Sequence, residues 1–328
     1  MSRVLYLLDH YPQISETYIE VEIDRVARQH EVAIATVSSP DLEREHHRPF
    51  IRLGNIHPET LAELVRRVRP DIVHGHYLTV APALHFLARS AGVFFTLRTH
   101  SFDVLQSDFL TNSAIIRYLN DPLCRGVICF PFAVDRLCRA GIDERKVHAC
   151  WPVVDIGRFR NRDPNGDAIM NSGAALPKKA MTDFVDLAAK LPQARFDLYS
   201  LGYNTAYIAE HARLGGKPVN ILSVQPEAMP AEYKKHRWLV YTASKTINTV
   251  GWPMSVAEAQ ASGVGVLMQN IRPDLQEYVG PGYLFDTIED ACRILTQPFP
   301  NELREAGFAH AEKSNIDRHI GLLYRLWE

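Results

Sequence analysis

The stretch Gly251-Trp252-Pro253-Met254-Ser255-Val256-Ala257-Glu258-Ala259 is the richest in chemistry along the chain. Glycine followed by proline predicts a helix opening at about Pro253, because proline is tolerated in the first turn, where its missing amide costs nothing. Open amides around Met254, Ser255 and Val256 would attract an anion, and the helix dipole adds to that attraction. Glu258 falls one to two turns in. A carboxylate there can accept from two neighbouring hydroxyls, the geometry a ribose offers, and its apolar neighbours Val256, Ala257 and Ala261 argue against a freely solvated face. A second anion seat is suggested by Ser172-Gly173-Ala174-Ala175-Leu176-Pro177-Lys178-Lys179, a glycine turn followed by lysines ahead of a helix, where amides and ammonium groups converge on phosphate oxygens. Gly215-Gly216-Lys217 looks similar but lacks a strand-to-helix setting and reads as a turn.

In the first half, Tyr11-Pro12-Gln13-Ile14 ends an apolar run, and Ser15 is placed to cap the helix that follows. His74 and His76 share a strand end at a spacing sometimes used for metal; no third ligand of matched spacing lies nearby, so a structural role is expected and no metal site. Thr99-His100-Ser101-Phe102-Asp103 follows the next apolar run directly. A histidine there is either a satisfied structural group or, in a cleft, a donor to a sugar hydroxyl or carbonyl near neutral pH.

These residues have to be positioned by something, and the apolar pattern says what. Short β-branched runs recur at Val4–Leu8, Val32–Val37, Asp71–His74, Val93–Leu97, Val127–Phe130, Ala168–Ser172, Phe196–Ser200, Val219–Val224, Trp238–Thr242 and Gly265–Met268, each reading as a strand buried on both faces. Helical spacing lies between them, as in Thr17–Arg28 with Ile19, Ile23, Val26 and Ala27 inward, and Thr182–Lys190 with Phe184, Val185, Leu187 and Ala188 inward. Alternation of this kind implies an α/β fold with parallel sheets covered by helices. The stretch from Trp151 to Gly166, rich in Pro, Asn, Asp, Gly and Arg, reads as a connection. The expected organisation is two Rossmann-like doubly wound domains, 1–152 and 153–314, facing an interdomain cleft, with a helix over 315–328 packing back on the first. Ligands in such sheets sit at the carboxyl ends of the strands, where the residues above fall.

With 328 residues, 46% of them hydrophobic, the chain is large enough for two cores. Lys and Arg number 36 against 38 Asp and Glu, which removes the basic field a nucleic-acid binder usually carries. Five cysteines, at 124, 129, 138, 150 and 292, form no CxxC pair, so neither a disulfide framework nor a zinc ribbon is suggested, and a reducing compartment fits. The opening apolar run ends at Asp9-His10, too soon for a secretory segment or a span, so a cytoplasmic protein is expected.

Taken in order, these residues resemble the retaining GT-B glycosyltransferases of family 4, over most of the chain. In that family the first strand often ends in Pro-x-x-Ser-Glu-Thr, here Pro12 to Thr17; an HxH follows, here His74 and His76; and a Thr-His-x-x-Asp, here Thr99, His100 and Asp103, supplies a histidine near the donor sugar. A Glu-seven-Glu motif precedes Ala-x-Ala-x-Gly, and Glu258-Ala259-Gln260-Ala261-Ser262-Gly263 matches its second half. The sequence departs from the family at two places: Val250 stands where the first motif glutamate belongs, and Ala174 or Ala175 where an arginine holds the donor diphosphate, while Lys179 aligns with the family lysine.

The resemblance implies a hexosyltransferase acting from a nucleotide diphosphate sugar, which is a co-substrate, with no metal or other cofactor. His100, Lys179 and Glu258 would be catalytic; Gly173, Lys178, Lys179, Pro253, Met254, Ser255, Val256 and Glu258 would bind the donor; Gln13, Ser15, Glu16, Thr17 and Asp103 would lie on the acceptor or sugar side. The acceptor would be a glycan or lipid-linked, as in polysaccharide biosynthesis, with peripheral contact at the inner membrane face. An epimerase or phosphorylase of the same fold is disfavoured for want of a further acid/base set. A catalytically silent module that binds a nucleotide sugar or a partner is the reading that Val250 and the missing arginine would support.

Overall fold

The computed structural model describes residues 1–13, 15–38, 48–202, 204–216, 219–247 and 249–328. The chain divides into two compact units, Met1–Val153 with Ile316–Glu328, and Val154–Asn315.

The first unit is built on β1 (Arg3–His10), β2 (Glu31–Ser38), β3 (Ile51–Arg52), β4 (Ile72–His76), β5 (Phe95–Arg98), β6 (Cys124–Cys129) and β7 (Val147–Ala149), in the order β3-β2-β1-β4-β5-β6-β7. All its pairings are parallel. Because side chains alternate along a strand, β1 feeds two cores. Leu5 and Leu7 face the helices Pro58–Val68 and Ala81–Ala91, while Val4, Tyr6 and Leu8 face the helices Thr17–Val26 and Ile316–Trp327. The helix Ile316–Trp327 buries Ile316, Ile320, Leu323 and Trp327, one stripe at helical spacing.

The second unit holds β8 (Ala168–Ala174), β9 (Phe196–Leu201), β10 (Val219–Leu222), β11 (His236–Tyr241), β12 (Gly265–Gln269) and β13 (Tyr283–Phe285), in the order β10-β9-β8-β11-β12-β13, again all parallel. The helices Met181–Lys190 and Thr205–Leu214 supply Phe184, Val185, Leu187, Ile208 and Ala212 to the core on one face. The helix Met254–Ala261 packs with the helices Asn301–Ala311 and Ile156–Phe159. Strand order reverses at β1/β4 in one sheet and at β8/β11 in the other, and in doubly wound sheets such switch points leave a crevice for ligand.

All ten expected strands are present. Three more were not anticipated, β3, β7 and β13, of two or three residues each, and all three are edge strands. An edge strand is covered on fewer sides and so carries no long apolar run. For the same reason β10, also an edge, has no fully buried residue, contrary to the expected burial on both faces. Ser15 does not cap the first helix: the chain turns with the Glu16 amide on the Gln13 carbonyl at 3.1 Å, Glu16 takes the cap position without capping the helix amides through its side chain, and Ser15 stays exposed. That helix ends at Val26, short of the expected Arg28, leaving Ala27 half-buried. The stretch taken as a connection carries the helix Ile156–Phe159, whose Ile156 and Phe159 are buried and whose Phe159 carbonyl accepts from the Ser262 hydroxyl at 3.3 Å. Of the remaining expectations, Ile14 and Lys217 lie outside the described residues. Among the described residues no helix is long and apolar enough to cross a membrane.

Candidate functional site

In the second unit, the turn after β8 and the loop after β11 are tied together at the switch point. The Ser244 amide donates to the Lys178 carbonyl at 2.9 Å, and the Thr242 hydroxyl donates to the Lys179 carbonyl at 2.8 Å. Lys178 reaches the Thr249 carbonyl at 3.5 Å. Lys179 folds its ammonium back over the α-carbon of Gly173, into the space a side chain there would fill. Gly173 also has φ +136°, a conformation that other residues rarely adopt, so glycine is required twice over. Among the described residues the Lys179 ammonium has no ion-pair or hydrogen-bond partner; the face of Tyr241 is 5.8 Å away. Burial, with Lys178 adding repulsion, brings its pKa down to about 8 against the pull of Glu258. A desolvated cation left unpaired at a switch point is an electrostatic seat for an anion.

The helix Met254–Ala261 begins beside this seat, with Pro253 at its cap position. The Val256 amide donates to the Pro253 carbonyl at 3.1 Å, so it is not among the open amides expected there. The Tyr278 hydroxyl donates to the same carbonyl at 2.6 Å, and Trp252 stacks on Tyr278 with centroids 4.8 Å apart, which fixes the helix start. Ser255 is buried, whereas Met254 and Glu258 are half-buried. Glu258 accepts from the buried Tyr233 hydroxyl at 2.8 Å, and burial raises its pKa. Val250, Ala174 and Ala175 are all buried.

In the first unit, the loops after β1, β4 and β5 assemble a polar cluster. Glu16 accepts from the Tyr77 hydroxyl at 2.6 Å, and the Tyr18 and Tyr77 hydroxyls are 2.5 Å apart. Burial pushes the Glu16 carboxyl up to about 7, with Tyr77 opposing. Tyr77 has φ +75°, a strained setting for an aromatic residue that aims its ring at Glu16 and His100. The rings of Tyr18 and Tyr77 lie 4.7 and 4.5 Å from His100. Gln13 and Thr17 frame the turn, half-buried.

Asp103, expected on the acceptor or sugar side, serves the loops themselves. It is fully buried and both oxygens are occupied by main-chain amides, Leu78 at 2.7 Å and His100 at 2.7 Å, so it fastens the loops after β4 and β5 to one another. His74 and His76 do have a neighbour of ligand type, Glu22, supplied by the helix Thr17–Val26 and too distant in sequence for spacing to reveal. A cation would have to compete there with Arg98, whose Nε lies 2.7 Å from Glu22 Oε2. Burial alone would raise the Glu22 carboxyl; Arg98 first, then His76, hold it well below the usual range. Glu22, Arg98, Tyr18, Tyr77 and Tyr233 were not anticipated. Two left a trace in the sequence: Glu22 interrupts the stripe of Ile19, Ile23 and Val26, and Arg98 puts a charge at the end of a fully buried strand. A charge in a buried stripe calls for a buried partner.

No family model and no curated protein matches this sequence. Solved structures match over nearly the whole chain. Anabaena Alr3699/HepE in complex with UDP and glucose is 15% identical with a TM-score of 0.80, 99% of each chain being covered. Sucrose-phosphate synthase from Thermosynechococcus elongatus is 16% identical with a TM-score of 0.74, covering 99% of this chain and 98% of that one. The lipopolysaccharide outer core galactosyltransferase WaaB in its apo form is 12% identical with a TM-score of 0.66, at 99% and 98% coverage. The chain therefore has the α/β fold of GT-B glycosyltransferase structures.

Proposed function

We propose that this protein transfers a hexose from a nucleotide diphosphate sugar to a glycan or lipid-linked acceptor, with retention of anomeric configuration. The observation that carries the reading is the unpaired, half-buried Lys179 ammonium over Gly173, beside a helix start and a carboxylate at a strand switch point. Structures of the same fold support it, one a galactosyltransferase and another holding UDP and glucose.

In the proposed step Lys179 and the first amides of the helix Met254–Ala261 stabilise the charge that develops on the leaving diphosphate, the kind of electrostatic contribution that usually dominates catalysis. Lys178 and Gly173 shape the same seat. Glu258, aimed by Tyr233, holds the ribose hydroxyls. His100 stands on the sugar side, and Gln13, Ser15, Glu16 and Thr17 on the acceptor side. Because Lys179 supplies the positive charge, transfer should proceed with a chelator present.

The test is a panel of nucleotide sugars, UDP-glucose first, scored by nucleotide release with and without chelator, and by the anomeric proton of the product. Turnover lost in Lys179→Ala and Glu258→Ala supports transfer. Binding without turnover of any donor supports the second reading, a silent nucleotide-sugar module, which the buried Val250 and the alanines at 174 and 175 favour.

A further inference from the structure

We propose that Glu22 and His76 are positioning residues that lock His100 as a neutral imidazole with its proton on Nε2, so that His100 serves as a fixed polar group and not as an acid or base. Its functional part rests on the reading that the loop after β5 serves the transfer reaction.

The assignment follows from donors that have no choice. The Trp327 indole is a donor only, and its Nε1 is 2.9 Å from the Thr96 hydroxyl. The hydrogen of Thr96 therefore goes to its other neighbour, His74 Nδ1, at 2.7 Å. That makes His74 the Nε2–H form; this nitrogen lies 3.1 Å from Glu22 Oε1, close enough for charge contact but without hydrogen-bond geometry, so the relay to His100 runs through His76. Glu22 is held as an acceptor-only carboxylate by the Arg98 guanidinium on its other oxygen. Its Oε1 also takes the Tyr6 hydroxyl at 3.3 Å and His76 Nε2 at 3.2 Å. His76 is therefore also Nε2–H, which leaves Nδ1 with a lone pair. The group facing that lone pair is His100 Nε2, at 3.0 Å, with the two ring planes 13° apart. His100 donates, and its Nδ1 is left as acceptor. At the far side of the ring a reciprocal cap closes the chain, the Asp103 amide turning back to the His100 side chain while the Asp103 carboxyl accepts from the His100 amide.

Each link is buried, and the residues around His100 offer no rival for its proton. Tyr18 and Tyr77 pack their rings on it, Phe130 meets it edge-on, Asp103 is bound to main-chain amides, and Glu22 and Arg98 neutralise one another. Burial, followed by His76 and Arg98, lowers the His100 pKa well below its ordinary value, which agrees with the geometry. Second partners of this kind commonly set which nitrogen of a functional histidine is protonated.

Two-bond proton–nitrogen spectra of the full-length protein labelled at histidine nitrogen read tautomers directly and need no turnover. The expected pattern at neutral pH is Nε2–H for His74, His76 and His100, with a slowly exchanging, downfield Nε2 proton on His100. A proton on Nδ1 of His76 or His100, a doubly protonated ring, or an average of two tautomers overturns the proposal. In His76→Leu the downfield proton of His100 should move upfield or vanish while the His74 signal stays, and kcat should fall about tenfold or more with donor KM changed less than about threefold. An unchanged His100 signal or an unchanged kcat counts against it. Should His76→Leu fail to fold, the wild-type spectrum decides alone. A correct pattern in a protein that turns over no donor leaves the relay standing and removes the transferase reading; turnover with a wrong pattern does the reverse.

Discussion

Replacing Lys179 by methionine should make this protein more stable and much less active, and the two effects share one cause. Burial brings the ammonium from an ordinary 10.5 to about 8. A displacement of that size corresponds to about 3 kcal/mol, reduced to about 1–2 kcal/mol for the solvent contact the side chain keeps. The sign follows from proton binding. Below pH 8 folded and unfolded chains are both protonated at this position and the whole cost is present; between about 8 and 10.5 the unfolded chain binds the proton and the folded one releases it, so stability rises with pH. Methionine removes the cost and keeps the volume. Its Tm at pH 7 should be higher than wild type by roughly 2–8 °C, and the gap should close by pH 10. Nucleotide release should fall about ten- to a hundredfold, the worth of a charge-assisted bond of roughly 1.5–3 kcal/mol. In the wild type, kcat/KM should drop about tenfold between pH 7 and pH 9 as the protonated fraction falls from about 90% to about 10%. Thermal scans at the two pH values and a coupled nucleotide-release assay give all three numbers. A lower Tm in the variant together with a wild-type rate flat to pH 10 refutes the reasoning.

Glu258→Gln should weaken nucleotide binding about tenfold or more, and Tyr233→Phe by a few-fold through lost aim, both readable by titration calorimetry with the free nucleoside diphosphate. Burial lowers the His76 pKa to about 4 from 6.5; the unfolded chain then takes up a proton that the folded one refuses, so stability is lost as pH falls from about 6.5 to 4, and Tm in His76→Leu should vary less over that window. Val250→Glu places a carboxylate at a buried position, and its Tm should fall by several degrees at neutral pH and recover at pH 5 as the group takes a proton; if the new carboxylate also reaches the sugar, the donor panel will shift.

The sheets were legible because ten of their strands are apolar runs, nine of them carrying buried residues, and such a run can be read from residue type alone. What escaped was decided by position. The edge strands β3, β7 and β13 are too short and too open to need an apolar run. Lys179, Gly173 and Glu258 could be proposed as a group because each follows a strand or opens a helix within a short, readable stretch. The Glu22 network joins residues from β1, β4, β5 and two helices, and no spacing rule connects Glu22 to Arg98 or Trp327. Asp103 shows what residue type leaves out: its two carboxylate oxygens accept from the main-chain amides of Leu78 and His100, bonds that no motif announces. Val154–Asn315 forms a unit of its own, and the stretch ahead of its first strand reads as loop because the helix Ile156–Phe159 has only four residues.

The helix Ile316–Trp327 completes a sheet whose strands all precede residue 150, with the whole second unit in between. On the ribosome that separation becomes time: at about 5–20 residues per second, one face of the first sheet waits roughly ten seconds or longer for its cover while the intervening unit is made and folds. During that interval Val4, Tyr6 and Leu8 have only the helix Thr17–Val26 as cover, leaving the rest of that face open to chaperones or to other nascent chains, and Thr96 lacks the indole that turns its hydroxyl toward His74. A gene joining residue 153 directly to 316 would shorten the wait to about a second, and its product should appear folded with less help.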